Sequence, residues 1–127
     1  MVSLILLSHS QKVVDGIKDI VDEMARDIPV FVAGGNSEGS LGSSYDLIKE
    51  VVQQALGPDG AVILFDLGSS AMTAETVLDE LEDAAKSKLV IVNAPLVEGA
   101  IVAAVEIRSG ASLEQVLAAL KDIEIVK

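Results

Sequence analysis

The stretch Val2-Ser3-Leu4-Ile5-Leu6-Leu7-Ser8-His9-Ser10-Gln11 decides how this 127-residue chain is read. Residues 2–7 are apolar except for Ser3 and do not alternate with polar positions. That pattern marks a strand buried on both faces, as strands are in a parallel sheet. A short polar turn, Ser8-His9-Ser10, follows at once. Beyond it, Val13, Val14, Ile17, Ile20, Val21 and Met24 fall on one helical stripe, with Lys12, Asp15, Lys18, Asp19 and Asp22 elsewhere. Strand, turn and amphipathic helix make one β-α unit.

The same unit recurs along the chain. Further short apolar runs occupy residues 30–33, 61–65 and 89–92. Between them, Leu47, Ile48, Val51, Val52 and Ala55 mark a second helix that stops at Gly57-Pro58. Val77, Leu78, Leu81, Ala84 and Ala85 mark a third, with Thr73 as its expected N-cap. Pro95 suits the first turn of a fourth helix over residues 96–107, ended by Gly110. Ser112 and Gln115 have the spacing of a capping box, which opens a last helix running to Leu120. The tail (Ile123, Ile125, Val126) reads either as an edge strand or as an arm exchanged between protomers. The expected fold is therefore α/β: an open, mostly parallel sheet of about four strands with helices on both faces. The Gly/Ser-rich stretch 34–44 is a loop inside one domain covering residues 1–127.

Composition narrows the chemistry. Twenty acidic residues against nine basic leave a net charge of −11, which argues against binding a nucleic-acid backbone. The absence of cysteine excludes disulfides, zinc fingers, iron–sulfur sites and a thiol nucleophile. No segment reads as a membrane span or a signal peptide, so the expectation is a cytoplasmic protein. Any imidazole chemistry has only His9 to use. The acidic residues read as solvated helix faces, with steering of a basic partner as a secondary role.

In open α/β sheets, ligands bind beyond the carboxyl ends of the strands, where strand order reverses. The residues just past the four strands are Ser8-His9-Ser10, Gly34-Gly35-Asn36, Asp66-Leu67-Gly68-Ser69-Ser70 and Asn93-Ala94-Pro95. The single histidine and a carboxylate should therefore meet at one edge. The N-cap of the helix that follows is Ser8 or Ser10; Ser8 and Gln11 have capping-box spacing, which would put His9 in the first turn, where the dipole disfavours imidazolium and favours an added anion. Asp66, ending an apolar strand, needs a partner, and His9 is the candidate: a carboxylate on one ring nitrogen leaves the other free to attack. Taken singly, His9 could be an ordinary loop residue and Asp66 an ordinary turn cap. Gly68, Ser69, Ser10 and Gly35 could offer N–H and hydroxyl donors to a phosphoryl group. The glycine turns match neither G-x-G-x-x-G nor the Walker pattern, which argues against nucleotide binding of those kinds.

Ser8-His9-Ser10, Asp66-Leu67-Gly68-Ser69 with Thr73-Ala74-Glu75, and Ala94-Pro95-Leu96-Val97-Glu98-Gly99 together resemble the DhaM phosphotransferase subunits of bacterial dihydroxyacetone kinases, within the mannose-type enzyme IIA family. The resemblance covers the chain from Met1 to about Leu120. It implies that His9 takes a phosphoryl group from the carrier protein HPr, that Asp66 orients the ring, and that Gly68 and Ser69 flank the phosphoryl group. It implies further that the acceptor is ADP held on the subunit DhaL, that DhaK holds dihydroxyacetone, and that the domain is a homodimer. No cofactor or metal is implied for the chain itself. Because some family members carry fused donor domains and this chain ends at Lys127, the resemblance implies a separate donor protein. Gly42-Ser43 stands where relatives often have Gly-Thr, and the hydroxyl is retained. The competing readings are a sugar-transport IIA component, a receiver domain phosphorylated on Asp66, and a non-catalytic binding module.

Overall fold

A computed structural model describes residues 1–123. Four strands, β1 (Ser3–Ser8), β2 (Val30–Gly34), β3 (Ala61–Phe65) and β4 (Leu89–Val92), form one sheet in the order β2-β1-β3-β4. Every pairing is parallel. Six helices connect and flank the strands: α1 (Gln11–Met24), α2 (Tyr45–Ala55), α3 (Gly68–Asp79), α4 (Asp83–Lys86), α5 (Leu96–Arg108) and α6 (Leu113–Lys121).

The unbroken apolar runs are explained by a core on each face of the sheet. Leu4, Leu6, Val62 and Leu64 point to one side, where Val14, Ile17 and Val21 of α1 meet Ala100, Ala103 and Ile107 of α5 and Val116 and Leu120 of α6. Ile5, Leu7, Ile63 and Phe65 point to the other side, against Ile48 and Val52 of α2 and Ala71, Ala74 and Val77 of α3. Leu4, Ile5, Leu6 and Leu7 are fully buried, and each such side chain contributes roughly 1.5–3 kcal/mol of burial free energy. β1 lies centrally and is buried along its whole length.

From β1 the chain crosses through α1 to β2 on one side; from β2 it crosses through α2 to β3 on the other side of β1. The reversal of strand order lies between β1 and β3, so the crevice between their carboxyl ends is the position such sheets use for ligands. Leu7 and Phe65 form the last pair between these two strands. One further step along each strand sets Ser8 beside Asp66, with His9 next.

Four helical details differ from the sequence expectation. The α1 stripe is narrower: Val14, Ile17 and Val21 are buried, whereas Val13, Ile20 and Met24 lie on an adjoining flank and are exposed. α3 begins at Gly68, five residues before Thr73, whose hydroxyl donates to the Ser69 carbonyl inside the helix. The expectation failed there because Gly68-Ser69-Ser70 reads locally as a turn, while packing of buried Ser70, Ala71 and Ala74 draws the segment into helix. The third helix is also two helices, since the chain breaks at Glu80-Leu81-Glu82 before the short α4. Pro95 is the N-cap of α5 and stands just before its first turn. The capping box at Ser112 and Gln115 forms with both of its hydrogen bonds. Ile123 closes a turn after α6, and Ile125 and Val126 lie outside the described residues.

Candidate active site

At the crevice between β1 and β3 the Asp66 carboxylate is the organising group. Its Oδ2 accepts from the Ser8 hydroxyl at 2.7 Å and from the His9 amide at 3.0 Å. Its Oδ1 accepts from the Leu67 amide at 2.7 Å and lies 3.1 Å from His9 Nδ1. Burial acts to raise the Asp66 pKa; the bonds from the Ser8 hydroxyl, the His9 amide, the His9 ring and the Leu67 amide outweigh it and hold the carboxyl below its ordinary value. An ionised carboxylate can only accept, so in the neutral ring Nδ1 carries the proton and Nε2 is the unprotonated nitrogen.

Nε2 faces hydroxyls. Ser69 Oγ lies 2.5 Å from it and donates to its lone pair, and Ser43 Oγ lies 3.4 Å away. Behind the ring, buried Ser70 places its Oγ 3.2 Å from Nδ1 and 3.1 Å from Ser43 Oγ. The His9 and Asp66 side chains retain 22% and 25% of their surface, so the ring is held yet reachable.

The helix starts differ in what they offer. α1 is capped by Ser10, whose side chain accepts from the Val13 amide, so His9 stands just ahead of the cap and not in the first turn. Of the two expected caps Ser10 is the one used; Ser8 cannot serve, because its hydroxyl donates to Asp66 and accepts from the Ser10 amide. At α3 the N-cap is Leu67, which has no side-chain acceptor. The Gly68 and Ser69 amides therefore open the helix beside Nε2 with no side-chain cap covering them, and first-turn amides have no intrahelical acceptor. An uncovered helix start carries partial positive charge and suits an anion.

The β2 loop supports the site from the side. The Gly35 amide donates to the Ser8 carbonyl and Gly42 donates to the His9 carbonyl at 2.9 Å. Gly35 has φ +72° and a Cβ there would meet the Ser40 carbonyl at 2.8 Å, so it shapes the loop, and its N–H is already engaged. Gly34 is required for a different reason: a Cβ would come within 2.6 Å of the Gln11 Cα and of the Ser10 carbonyl.

His9, Asp66, Gly68 and Ser69 thus come together as the strand ends suggested. Ser10 is a helix cap and Gly35 a loop former. Ser8, Ser43 and Ser70 were not singled out as ring or carboxylate partners; Ser8 could have been found from its register opposite Asp66. No group of three or more His, Asp or Glu side chains among the described residues is arranged to hold a metal ion. A surface cavity of about 760 Å³ beside β4 touches this region at Gly68. Large apolar side chains stand exposed on three segments that also supply residues of the site: Leu41 on the β2 loop, Leu67 after β3 and Met72 on α3. No helix among the described residues is long and apolar enough to cross a membrane.

An all-parallel α/β sheet with one histidine and one aspartate at its switch point fits a defined class. The family model for the PTS system fructose IIA component, EIIA-man, matches residues 3–117, and the chain belongs to this family. Its relatives include the phosphoryl donor subunit DhaM of PEP-dependent dihydroxyacetone kinase 1 from Listeria innocua serovar 6a, 35% identical over 96% of this chain and 94% of that one. The phosphotransferase subunit DhaM of the PTS-dependent dihydroxyacetone kinase of Lactococcus lactis is 31% identical, over 98% of this chain and 97% of that one. The crystal structure of EF1359, a protein of unknown function, superposes with a TM-score of 0.84 at 33% identity, covering 95% of this chain and 93% of that one.

Proposed function

We propose that this chain is the phosphoryl donor subunit of a PEP-dependent dihydroxyacetone kinase and that it carries the phosphoryl group on Nε2 of His9. The observation that carries the reading is the division between the two ring nitrogens: Nδ1 lies on the Asp66 carboxylate, and Nε2 faces the start of α3. Full-length relatives named as DhaM phosphoryl donor subunits support the pathway.

In this mechanism the Nε2 lone pair attacks the phosphorus of a donor phosphohistidine, in line with the departing donor nitrogen. The new Nε2–P bond forms as the donor N–P bond breaks, and the electron pair stays with the donor imidazole. The His9 ring becomes a phosphorylated imidazolium, its positive charge facing Asp66, while Nδ1 keeps its proton. Ser69 and the Gly68 and Ser69 amides take the phosphoryl oxygens. In the second half, an oxygen of the terminal phosphate of ADP displaces Nε2, giving ATP and neutral His9. Transfer of this kind depends on positioning and on charge stabilisation more than on covalent assistance from further groups.

We assign the donor role to HPr and the acceptor role to ADP bound on DhaL, with DhaK holding dihydroxyacetone, and the working state to a cytoplasmic homodimer. One feature supports macromolecular partners over a small substrate: the segments that supply the site also carry exposed apolar side chains, Leu41 next to Gly42, Leu67 next to Asp66 and Met72 one helical turn beyond Ser69. The test is incubation with radiolabelled phosphoenolpyruvate, enzyme I and HPr. The expected label is acid-labile, alkali-stable, absent from His9→Ala, and chased by DhaL-bound ADP. Full labelling of His9→Ala would overturn the assignment.

A further inference from the structure

The geometry points to Ser8 as a positioning residue that holds the Asp66 carboxylate in the orientation that sets the His9 tautomer. This inference rests on the phosphohistidine reading only for its consequence in transfer, and its structural content stands apart from it.

Ser8 is the last residue of β1 and is almost fully buried. Its hydroxyl has a single proton, which goes to Asp66 Oδ2 at 2.7 Å, while its oxygen accepts from the Ser10 amide at 3.0 Å. The acceptor bond fixes where the oxygen sits, and so fixes where the proton points. The β2 side is fixed as well, since Ser8 is in register with Gly34 and its carbonyl accepts from the Gly35 amide. Of the four donors around the carboxylate, the Leu67 amide and the His9 ring address Oδ1, and the His9 amide and Ser8 address Oδ2. Ser8 makes the shorter of the two Oδ2 bonds. Without it, Oδ2 keeps the His9 amide at 3.0 Å alone, and the carboxylate can swing about its terminal bond away from Nδ1. The ring then samples the other tautomer, with the proton on Nε2, which has no lone pair for attack.

The test compares wild type, Ser8→Ala and Ser8→Thr. Nitrogen NMR of the unphosphorylated proteins reads the His9 tautomer, and rapid mixing with phospho-HPr reads the transfer rate. The expected result for Ser8→Ala is a measurable rise in the Nε2–H tautomer and a roughly tenfold slower transfer, the scale of one lost charge-assisted hydrogen bond. Ser8→Thr, which keeps the hydroxyl on a residue suited to a strand, should restore both. An unchanged tautomer in Ser8→Ala overturns the inference, whatever the rate does. So does a Ser8→Thr variant that folds, by circular dichroism, yet matches Ser8→Ala in both readings. Should wild type accept no phosphoryl group on His9, the proposed function fails, and the tautomer comparison still decides the role of Ser8.

Discussion

Replacing Asp66 with asparagine removes the charge and changes little in shape, and the structure allows its effect to be worked through. The carboxylate accepts four hydrogen bonds, two at each oxygen. Asparagine has one acceptor oxygen and one amide nitrogen that only donates. If the nitrogen takes the Oδ2 position, the Ser8 hydroxyl can rotate to accept, but the His9 amide is left facing a donor. If it takes the Oδ1 position, the Leu67 amide is left facing a donor and the ring must turn to the Nε2–H tautomer. Either way one amide loses its acceptor: the half-buried His9 amide at a cost of about 1–3 kcal/mol, or the exposed Leu67 amide, which water can satisfy, at less. The phosphorylated imidazolium also loses its counter-charge, which is modest because the side chains keep about a quarter of their surface. The unpaired amide lowers stability in ground and transition state alike. The lost counter-charge and the lost Nδ1 anchor act on the reacting ring and put the barrier to transfer up by about 1.5–3 kcal/mol, roughly ten- to a hundredfold in rate. The assay is rapid-quench transfer from phospho-HPr, with circular dichroism to verify the fold. A folded Asp66→Asn variant that transfers within twofold of wild type would refute the division of labour between the ring nitrogens.

Three further outcomes are expected. Because the folded-state pKa of Asp66 lies below its ordinary value, its stabilising contribution is fully present above about pH 5 and disappears as the pH falls through the lowered value; urea unfolding should separate wild type from Asp66→Asn at pH 7 and bring them together in strong acid. Gly34→Ala should lower stability by about 1–3 kcal/mol, since its Cβ would meet the Gln11 Cα and the Ser10 carbonyl at 2.6 Å and push the start of α1 off the sheet; thermal unfolding checks this. Met72→Ala, which removes an exposed side chain one helical turn beyond Ser69, should raise the KM for phospho-HPr severalfold and leave the His9 tautomer alone; an unchanged KM would remove Met72 from the docking surface.

The sheet was legible because parallel strands buried on both faces leave unbroken apolar runs, and all four runs became strands. The meeting of His9 and Asp66 was legible for a topological reason: both follow strands directly, and α/β sheets gather such residues at one edge. What escaped was local. Gly68-Ser69-Ser70 carries the composition of a turn, and only contact with the sheet draws it into α3, so the helix start beside His9 was hidden. Similarly, Ser8 and Ser10 both suit the cap in sequence and the spacing of Ser8 and Gln11 mimics a capping box, but a carboxylate from another strand takes the Ser8 hydroxyl and leaves the cap to Ser10. A rule based on neighbours in sequence cannot see a competitor 58 positions away.

The setting of His9 has a kinetic consequence. In the proposed relay donor and acceptor must both reach the same Nε2, on a side chain that keeps only 22% of its surface, and that spot admits one macromolecule at a time. Donor and acceptor must therefore alternate, and each excludes the other while bound. Turnover should follow ping-pong kinetics, with parallel double-reciprocal lines. An excess of unphosphorylated donor should inhibit competitively against the acceptor. On that reading the phosphorylated subunit is a free intermediate between visits, so its hydrolytic lifetime would bound how dilute the acceptor can become before the relay loses its phosphoryl groups to solvent.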